Sequence, residues 1–269
     1  MRFHLGRTIR TIIVGLIGAL YTFPTFWMIT SSMKLEKDLV AMKIFPKTWS
    51  LDNYYKIIEQ AKIGAWFSNS MFITGITTLG VIVIGLMAGY ALGRLKFPGK
   101  NIMYAYIIAG MVIPGEGIMI TVFLTMKDLG LGAKASLIIL HVASAVAVMI
   151  LSNYFKGIAN EFEEAARIDG AGEIKILTHI MIPMAVPAIT TVAIVHFSWI
   201  WNDFLWPLIF ATSDKAYTLP VGLSTLINNS DLRFGPVMAG STLSVIPVVV
   251  MFLLFQRYFM RGIAGATLK

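Results

Sequence analysis

Two short stretches gather the residues that could do chemistry. Glu163-Glu-Ala-Ala-Arg-Ile-Asp-Gly170 puts three acids and one base into eight residues of a chain otherwise poor in charge. Trp199-Ile-Trp-Asn-Asp-Phe-Leu-Trp206 sets an amide and a carboxylate among three indoles. Neither stretch has the form of a catalytic site. No His-x-x-x-His, nucleophile elbow or paired carboxylate accompanies them, and His141 and His196 stand singly in apolar surroundings, where they read as packing or satisfied polar groups. The nearest approach to a phosphate loop, Gly93-Arg-Leu-Lys-Phe-Pro-Gly-Lys100-Asn101, has five residues between its glycines and Asn where Ser or Thr is required. It also lacks a preceding strand, so it is not a nucleotide site. Cysteine is absent, which excludes disulfides and thiolate metal sites.

The first stretch has the chemistry of docking. Asn160 can cap a helix, and Glu163 three positions later completes an Asn form of the capping box. Glu161, Glu163 and Glu164 fall where a helix dipole favours negative charge. Phe162, Ala165, Ala166 and Asp169 recur at helical spacing and make a small-residue face for close approach of another backbone. Gly170 and Gly172 end the helix, and a second apolar helical segment follows from Glu173 until Pro183. A short exposed helix–glycine–helix element fits a groove on a partner.

The second stretch suits a polar solute. On a continuous helix Trp199, Asn202, Asp203 and Trp206 share one face, while Trp201 points elsewhere. Stacking surfaces beside amides and carboxylates are what a sugar-lined pathway needs. The plainer reading is an aromatic belt at the membrane boundary, to which Trp201 can belong whatever the other face does. Asp203 is costly in lipid, so its face turns toward the bundle or a subunit interface. Glu116, just after Pro114-Gly115, is a similar interior-facing candidate, with structural pairing an equal alternative.

The elements that must position these residues are membrane helices. The 269 residues are 57% hydrophobic and 13% charged, with mean hydropathy +0.76; soluble domains carry about a quarter charged residues. The net charge of +8 is scattered between apolar blocks, which excludes a nucleic-acid stripe and fits the flanks of membrane spans. A span takes about 20 apolar residues, which predicts spans at 11–32, 70–93, 101–126, 135–155, 185–210 and 234–256. The first reads as a retained span rather than a cleaved signal peptide. Pro24, Pro114-Gly115 and Pro247 are expected to interrupt the first, third and sixth. Lysines and arginines divide almost evenly between the two sides. The local clusters Arg2/Arg7/Arg10 and Arg94/Lys96/Lys100 favour both termini inside.

The spacing within the polar loop carries a resemblance. Glu164-Ala165-Ala166, three residues, Gly170, nine residues, Ile180, one residue, then Ile182-Pro183 resembles the EAA signature of bacterial ABC-importer permeases, departing only in Ile182 for Leu. Arg167-Ile168-Asp169-Gly170-Ala171 further matches the form typical of the carbohydrate branch. "WNDFLWPLIF" at 201–210 and "FQRYFMRGIAGA" at 255–266 are similar to the smaller permease of sugar importers of the maltose-transporter type.

The resemblance implies an all-α polytopic protein with six transmembrane helices and the type I ABC-importer permease fold, a single domain over the whole chain. It implies a bacterial plasma-membrane protein with cytoplasmic termini and a cytoplasmic coupling loop at 160–183. Glu164, Ala165, Ala166, Arg167, Ile168, Asp169, Gly170, Ile180 and Pro183 would serve ATPase coupling. The tail residues Arg261, Gly265 and Lys269 would contact the ATPases. The partners implied are a second, homologous permease, two ATPase subunits, an extracytoplasmic solute-binding protein and a sugar, with no nucleic acid. The chain itself would bind no cofactor; ATP and Mg would be used by the ATPase subunits, leaving this chain without enzymatic activity. An ion-coupled secondary transporter is the rival class, disfavoured because ionisable residues within spans are chiefly Glu116 and Asp203. A permease for a non-sugar solute stays open, since the EAA pattern is shared across import systems.

Overall fold

The computed structural model describes residues 2–227 and 234–266, and among these every regular element is a helix. The chain forms two compact units. One takes the chain up to Ala65 with Leu219–Ile246; the other takes Trp66–Thr218 with the chain from Pro247.

In the first unit α1 (Arg2–Ser32) leads to the short helices α2 (Glu36–Val40) and α3 (Asp52–Gln60), and α14 (Leu219–Ile227) and the start of α15 (Phe234–Ala266) complete it. Asn53 of α3 donates from Nδ2 to the carbonyls of Ser32 and Lys34 at 2.9 and 2.8 Å, satisfying the end of α1. The Tyr54 and Ser32 hydroxyls meet at 2.8 Å. Lys34 is buried with its Nζ 4.1 Å from the centre of the Trp27 ring. Burial holds the Lys34 ammonium below its ordinary value, an effect that Asp38 partly offsets. The interval between the expected fifth and sixth spans holds the apolar helix α14, of which Leu219, Val221, Leu223 and Leu226 are buried.

The second unit contains most of α4 (Ile63–Arg94). It continues with α5 (Lys100–Ala109), α6 (Gly115–Asp128), α7 (Ala133–Val142), α8 (Ala145–Lys156), α9 (Glu161–Ile168) and α10 (Glu173–Ile176). It closes with α11 (Ile182–Met184), α12 (Val186–Trp201), α13 (Leu205–Phe210) and the end of α15. Its core joins Val81, Leu86 and Tyr90 of α4 to Leu151 and Phe155 of α8 and to Ile176, Met181, Ala185 and Val192. The helices α4 and α8 meet along Gly85, Gly89 and Gly93. A Cβ on Gly89 would stand 2.8 Å from Leu151 Cβ and 3.1 Å from the Ser152 nitrogen. A small residue at every fourth position lets two backbones touch where lipid supplies no hydrophobic drive for association.

Among the described residues four helices, Gly6–Ser32, Ile63–Arg94, Ala133–Lys156 and Phe234–Arg257, are long and apolar enough to cross a membrane. The number rises to six if each of two bent pairs counts as one span. The expected third span is one of these pairs. Its halves Lys100–Val112 and Gly115–Asp128 meet at 99° around Pro114, so it is no straight crossing. The other pair, Glu173–Met184 with Val186–Trp201, bends by 77°. Pro24 and Pro247 do not interrupt as expected: α1 and α15 run through them. A proline removes one hydrogen bond, but an apolar environment offers the neighbouring groups no partner except the helix itself.

Candidate functional site

The polar loop folds as a helix whose start differs from the sequence expectation and whose end follows it. Asn160 has helical backbone angles and its side chain caps nothing. Glu163 closes no capping box. It turns inward, and Arg94 at the end of α4 donates from Nε to its Oε1 at 2.8 Å, both side chains being 5% exposed. Arg94 also donates from Nη1 to the carbonyls of Ile158, at 2.8 Å, and Phe155, at 3.3 Å. The ion pair outcompetes the cap because a buried guanidinium must be matched by an equally buried acceptor.

The other end follows the glycine. Gly170 has φ +77°, its N–H bonds the Arg167 carbonyl at 3.0 Å, and the Ala171 N–H bonds the Ala166 carbonyl at 2.9 Å. That pair of bonds is a Schellman stop, which needs a residue able to sit in the left-handed region at Gly170. Arg167 donates from Nε and Nη2 to Glu173 Oε1 at 3.1 and 3.0 Å, and the Tyr90 hydroxyl donates to Glu173 Oε2 at 2.6 Å. The bond to Glu173 raises the Arg167 guanidinium above its ordinary value.

These anchors fix which side of α9 faces out. Glu163 and Ala166 turn toward the protein, Ala166 packing against the core, so the two alanines do not form one outward face as the spacing suggested. Glu161, Phe162, Glu164, Ala165, Ile168 and Asp169 are exposed, and beyond the stop so is Ile174. Ile168 and Ile174 are 86% and 80% exposed, and with Phe162 they make the outward side of the loop apolar. Ile180 is half-buried on the core and Pro183 exposed. Ile180 lies within a π-helical turn, Leu177–Met181, in which the Ile182 N–H reaches the Leu177 carbonyl. The wider turn accommodates the proline ring that follows.

The second site is a cavity of about 930 Å³. Three helix breaks meet at it: Gly110 and Met111 beside the bend of the third apolar stretch, Ala143 and Ser144 between α7 and α8, and Asn202 and Asp203 between α12 and α13. Irregular backbone at membrane depth survives where it borders such a space. Trp199, Asn202, Asp203 and Trp206 all line the cavity, as their shared face suggested. The route is different, because α12 stops at Trp201 and α13 restarts at Leu205. The Asp203 carboxylate faces the backbone N–H groups of Phe204, Leu205 and Trp206 across the break. Trp201 is buried, stacked on Phe197 with 6° between the rings and edge-on to Phe67, so it joins no boundary belt. Glu116 is exposed in the first turn of α6 and does not line the cavity, so it is not interior to this chain.

Two histidines complete the lining. His141 Nε2 lies 3.4 Å from Asp203 Oδ2 while its Nδ1 contacts the Leu137 carbonyl at 2.9 Å. His196 donates from Nδ1 to the Val192 carbonyl at 3.0 Å, and the Ser144 hydroxyl donates to its Nε2 at 2.6 Å, a tautomer assigned from these partners. Sequence reading treated both as solitary, and single positions in separate apolar stretches contain no signal that joins them. Among the described residues no Lys or Arg lines the cavity. The expected tail contacts Arg261 and Gly265 fall in α15 beyond the described side chains, and Lys269 lies outside the described residues.

Comparison with known proteins places this arrangement. Residues 81–265 match the family described as binding-protein-dependent transport system inner membrane component. The chain is 32% identical to the arabinooligosaccharides transport system permease protein AraQ of Bacillus subtilis (strain 168), over 100% of this chain and 98% of that protein. It is 30% identical to the trehalose/maltose transport system permease protein MalG of Thermococcus litoralis, over 96% of each. In fold it is similar to a chain in the crystal structure of a bacterial ABC transporter involved in the import of the acidic polysaccharide alginate. That match has TM-score 0.85 and 23% identity, covering 95% of this chain and 97% of the other. With the match spanning the helices that form both the polar loop and the cavity, the chain belongs to the family of inner membrane components of binding-protein-dependent transport systems, the permease subunits of ABC importers.

Proposed function

We propose that this multi-pass inner-membrane permease conducts a carbohydrate and forms half of the translocation pathway beside a second, homologous permease. Two cytoplasmic ATPase subunits, which use ATP and Mg, dock on the loop from Glu161 to Ile174, so the termini are cytoplasmic. An extracytoplasmic binding protein delivers the sugar. ATP-driven closure of the ATPases moves α9, the bundle opens outward to receive solute, and hydrolysis returns it inward. This chain supplies binding and motion, and the hydrolytic chemistry belongs to its partners.

The observation that carries the reading is the outward face of α9. Phe162, Ile168 and Ile174 are exposed on an element whose other side is fixed by ion pairs. A rigid helix with an apolar face is what a groove-docking partner recognises. Sugar as the solute is supported by the arabinooligosaccharide and trehalose/maltose permeases among the relatives. Indoles of Trp199 and Trp206 beside Asn202 in the cavity add to it.

The test replaces Ile168 with Asp in the reconstituted transporter. The subunit should still insert, lose its ATPase subunits on purification, and lose ATP-dependent uptake of arabinotriose or trehalose. Retained association with the ATPases would overturn the docking role.

A further inference from the structure

The docking helix is joined to the membrane helices through the chain on both sides, from α8 before it and into α10 after it. It is also gripped by an element distant in sequence. We propose that Arg94 and Tyr90 are positioning residues that make α4 move as one body with α9, so that α4 receives the ATPase stroke directly. This rests on the docking reading above.

The grip has two points, one at each end of α9. At its first turn Glu163 binds Arg94, and just past its last turn Glu173 takes both the Tyr90 hydroxyl and Arg167. A single tether leaves rotation free; two tethers from successive turns of α4, cross-linked by Arg167 at 3.7 Å from Glu163 and 3.0 Å from Glu173, restrain it. The first point is nearly closed to water, since Arg94 and Glu163 are each 5% exposed, so separating them leaves both charges without solvent. It is also trivalent: the same guanidinium holds the Ile158 and Phe155 carbonyls at the end of α8. A planar fork can serve acceptors in three directions, which a lysine ammonium on a flexible stem cannot do with the same fixity. Gly93 lies against Ser152 and Phe155, so no layer of side chains separates the end of α4 from α8 to absorb the movement. Displacing α9 without α4 would break a buried ion pair and strand a charge.

The test uses the complete transporter, with ATPase subunits and binding protein, in nanodiscs. The chain has no cysteine of its own. Spin labels on cysteines replacing Met87 and Lys175, both exposed and neither on the apolar docking face, report one distance within this chain when the partner subunits are also free of cysteine. That distance should be narrow and unchanged between the nucleotide-free and the Mg-ATP–vanadate states. In the Arg94→Gln, Tyr90→Phe double variant a second, shifted distance should appear on adding nucleotide, with the ATPase subunits still bound. Tyr90→Phe alone, which removes one hydroxyl, should show the same shift in part if the double variant does not assemble. A distance that already changes in the unsubstituted chain, or stays single in both variants, overturns the proposal. The Ile168→Asp transporter separates the two readings. ATPases that dissociate from it while the double variant keeps one distance refute the grip alone, and ATPases that remain refute docking.

Discussion

Asp203 Oδ2 stands 3.4 Å from His141 Nε2, and the same carboxylate faces the backbone N–H groups at the start of α13. The residue that membrane cost marks as functional thus has a structural duty of its own: it keeps the fifth apolar stretch broken at the cavity. Asp203→Ala removes that acceptor and should lower stability by about 1–3 kcal/mol. Asp203→Asn keeps one acceptor oxygen and should lose clearly less. Thermal unfolding of the detergent-solubilised chain compares the two. Equal losses would show that the charge opposite His141, and not the backbone bonds, is what matters.

The approach of α4 to α8 predicts a contrast within one helix. A methyl on Gly89 meets Leu151 and the Ser152 backbone, whereas one on Gly75 meets nothing within 4 Å. Gly89→Ala should destabilise by about 1–3 kcal/mol through overpacking. Gly75→Ala should be neutral or gain up to about 1 kcal/mol of helix propensity. Melting curves of the two variants read the difference, and a loss at Gly75 matching that at Gly89 would remove close packing as the cause.

The legibility of these features in the sequence follows their range. The apolar stretches and the docking loop are local patterns, and the Gly170 stop depends on residues within one turn of it. The inward turn of Glu163 depends on Arg94, in a different helix, and a local capping rule assigns it to Asn160 instead. His141 with Asp203, and His196 with Ser144, are likewise pairs that no periodicity connects. The face containing Trp199 and Trp206 was legible although the helix beneath it breaks, because both sides of the break border one cavity. Pro24 and Pro247 misled for the opposite reason: a breaker rule learned in water is overridden where the helix backbone has no other partner.

Gly170→Pro cannot adopt φ +77° and removes the N–H that bonds the Arg167 carbonyl. The helix stop should be lost while the membrane helices persist, leaving an inserted subunit with ATP-dependent uptake abolished. Gly170→Ala retains the N–H and carries only the left-handed strain, about 1–2 kcal/mol, so uptake should fall but persist. Proteoliposome uptake measured beside the amount of assembled complex decides the matter. Normal uptake by the proline variant at normal assembly would exclude coupling through this loop.

The segment after α1 predicts an acid-sensitive fold. Asp38 is buried and accepts from Lys43 Nζ at 2.7 Å and from the Lys47 N–H at 3.1 Å. The Lys43 bond first, and the Lys47 bond with it, hold its carboxyl below the ordinary carboxylate value. A depressed folded value means that the unfolded segment binds its proton more readily. The stabilisation is therefore complete above the unfolded value of about 3.9 and is lost as pH falls through the lower folded value. Protease cleavage within residues 36–47 should stay slow at neutral pH and accelerate as pH drops below that point, read with an acid-active protease. Asp38→Asn should cleave faster at neutral pH and lose the acid step. An unchanged acid step in that variant would assign the sensitivity to another group.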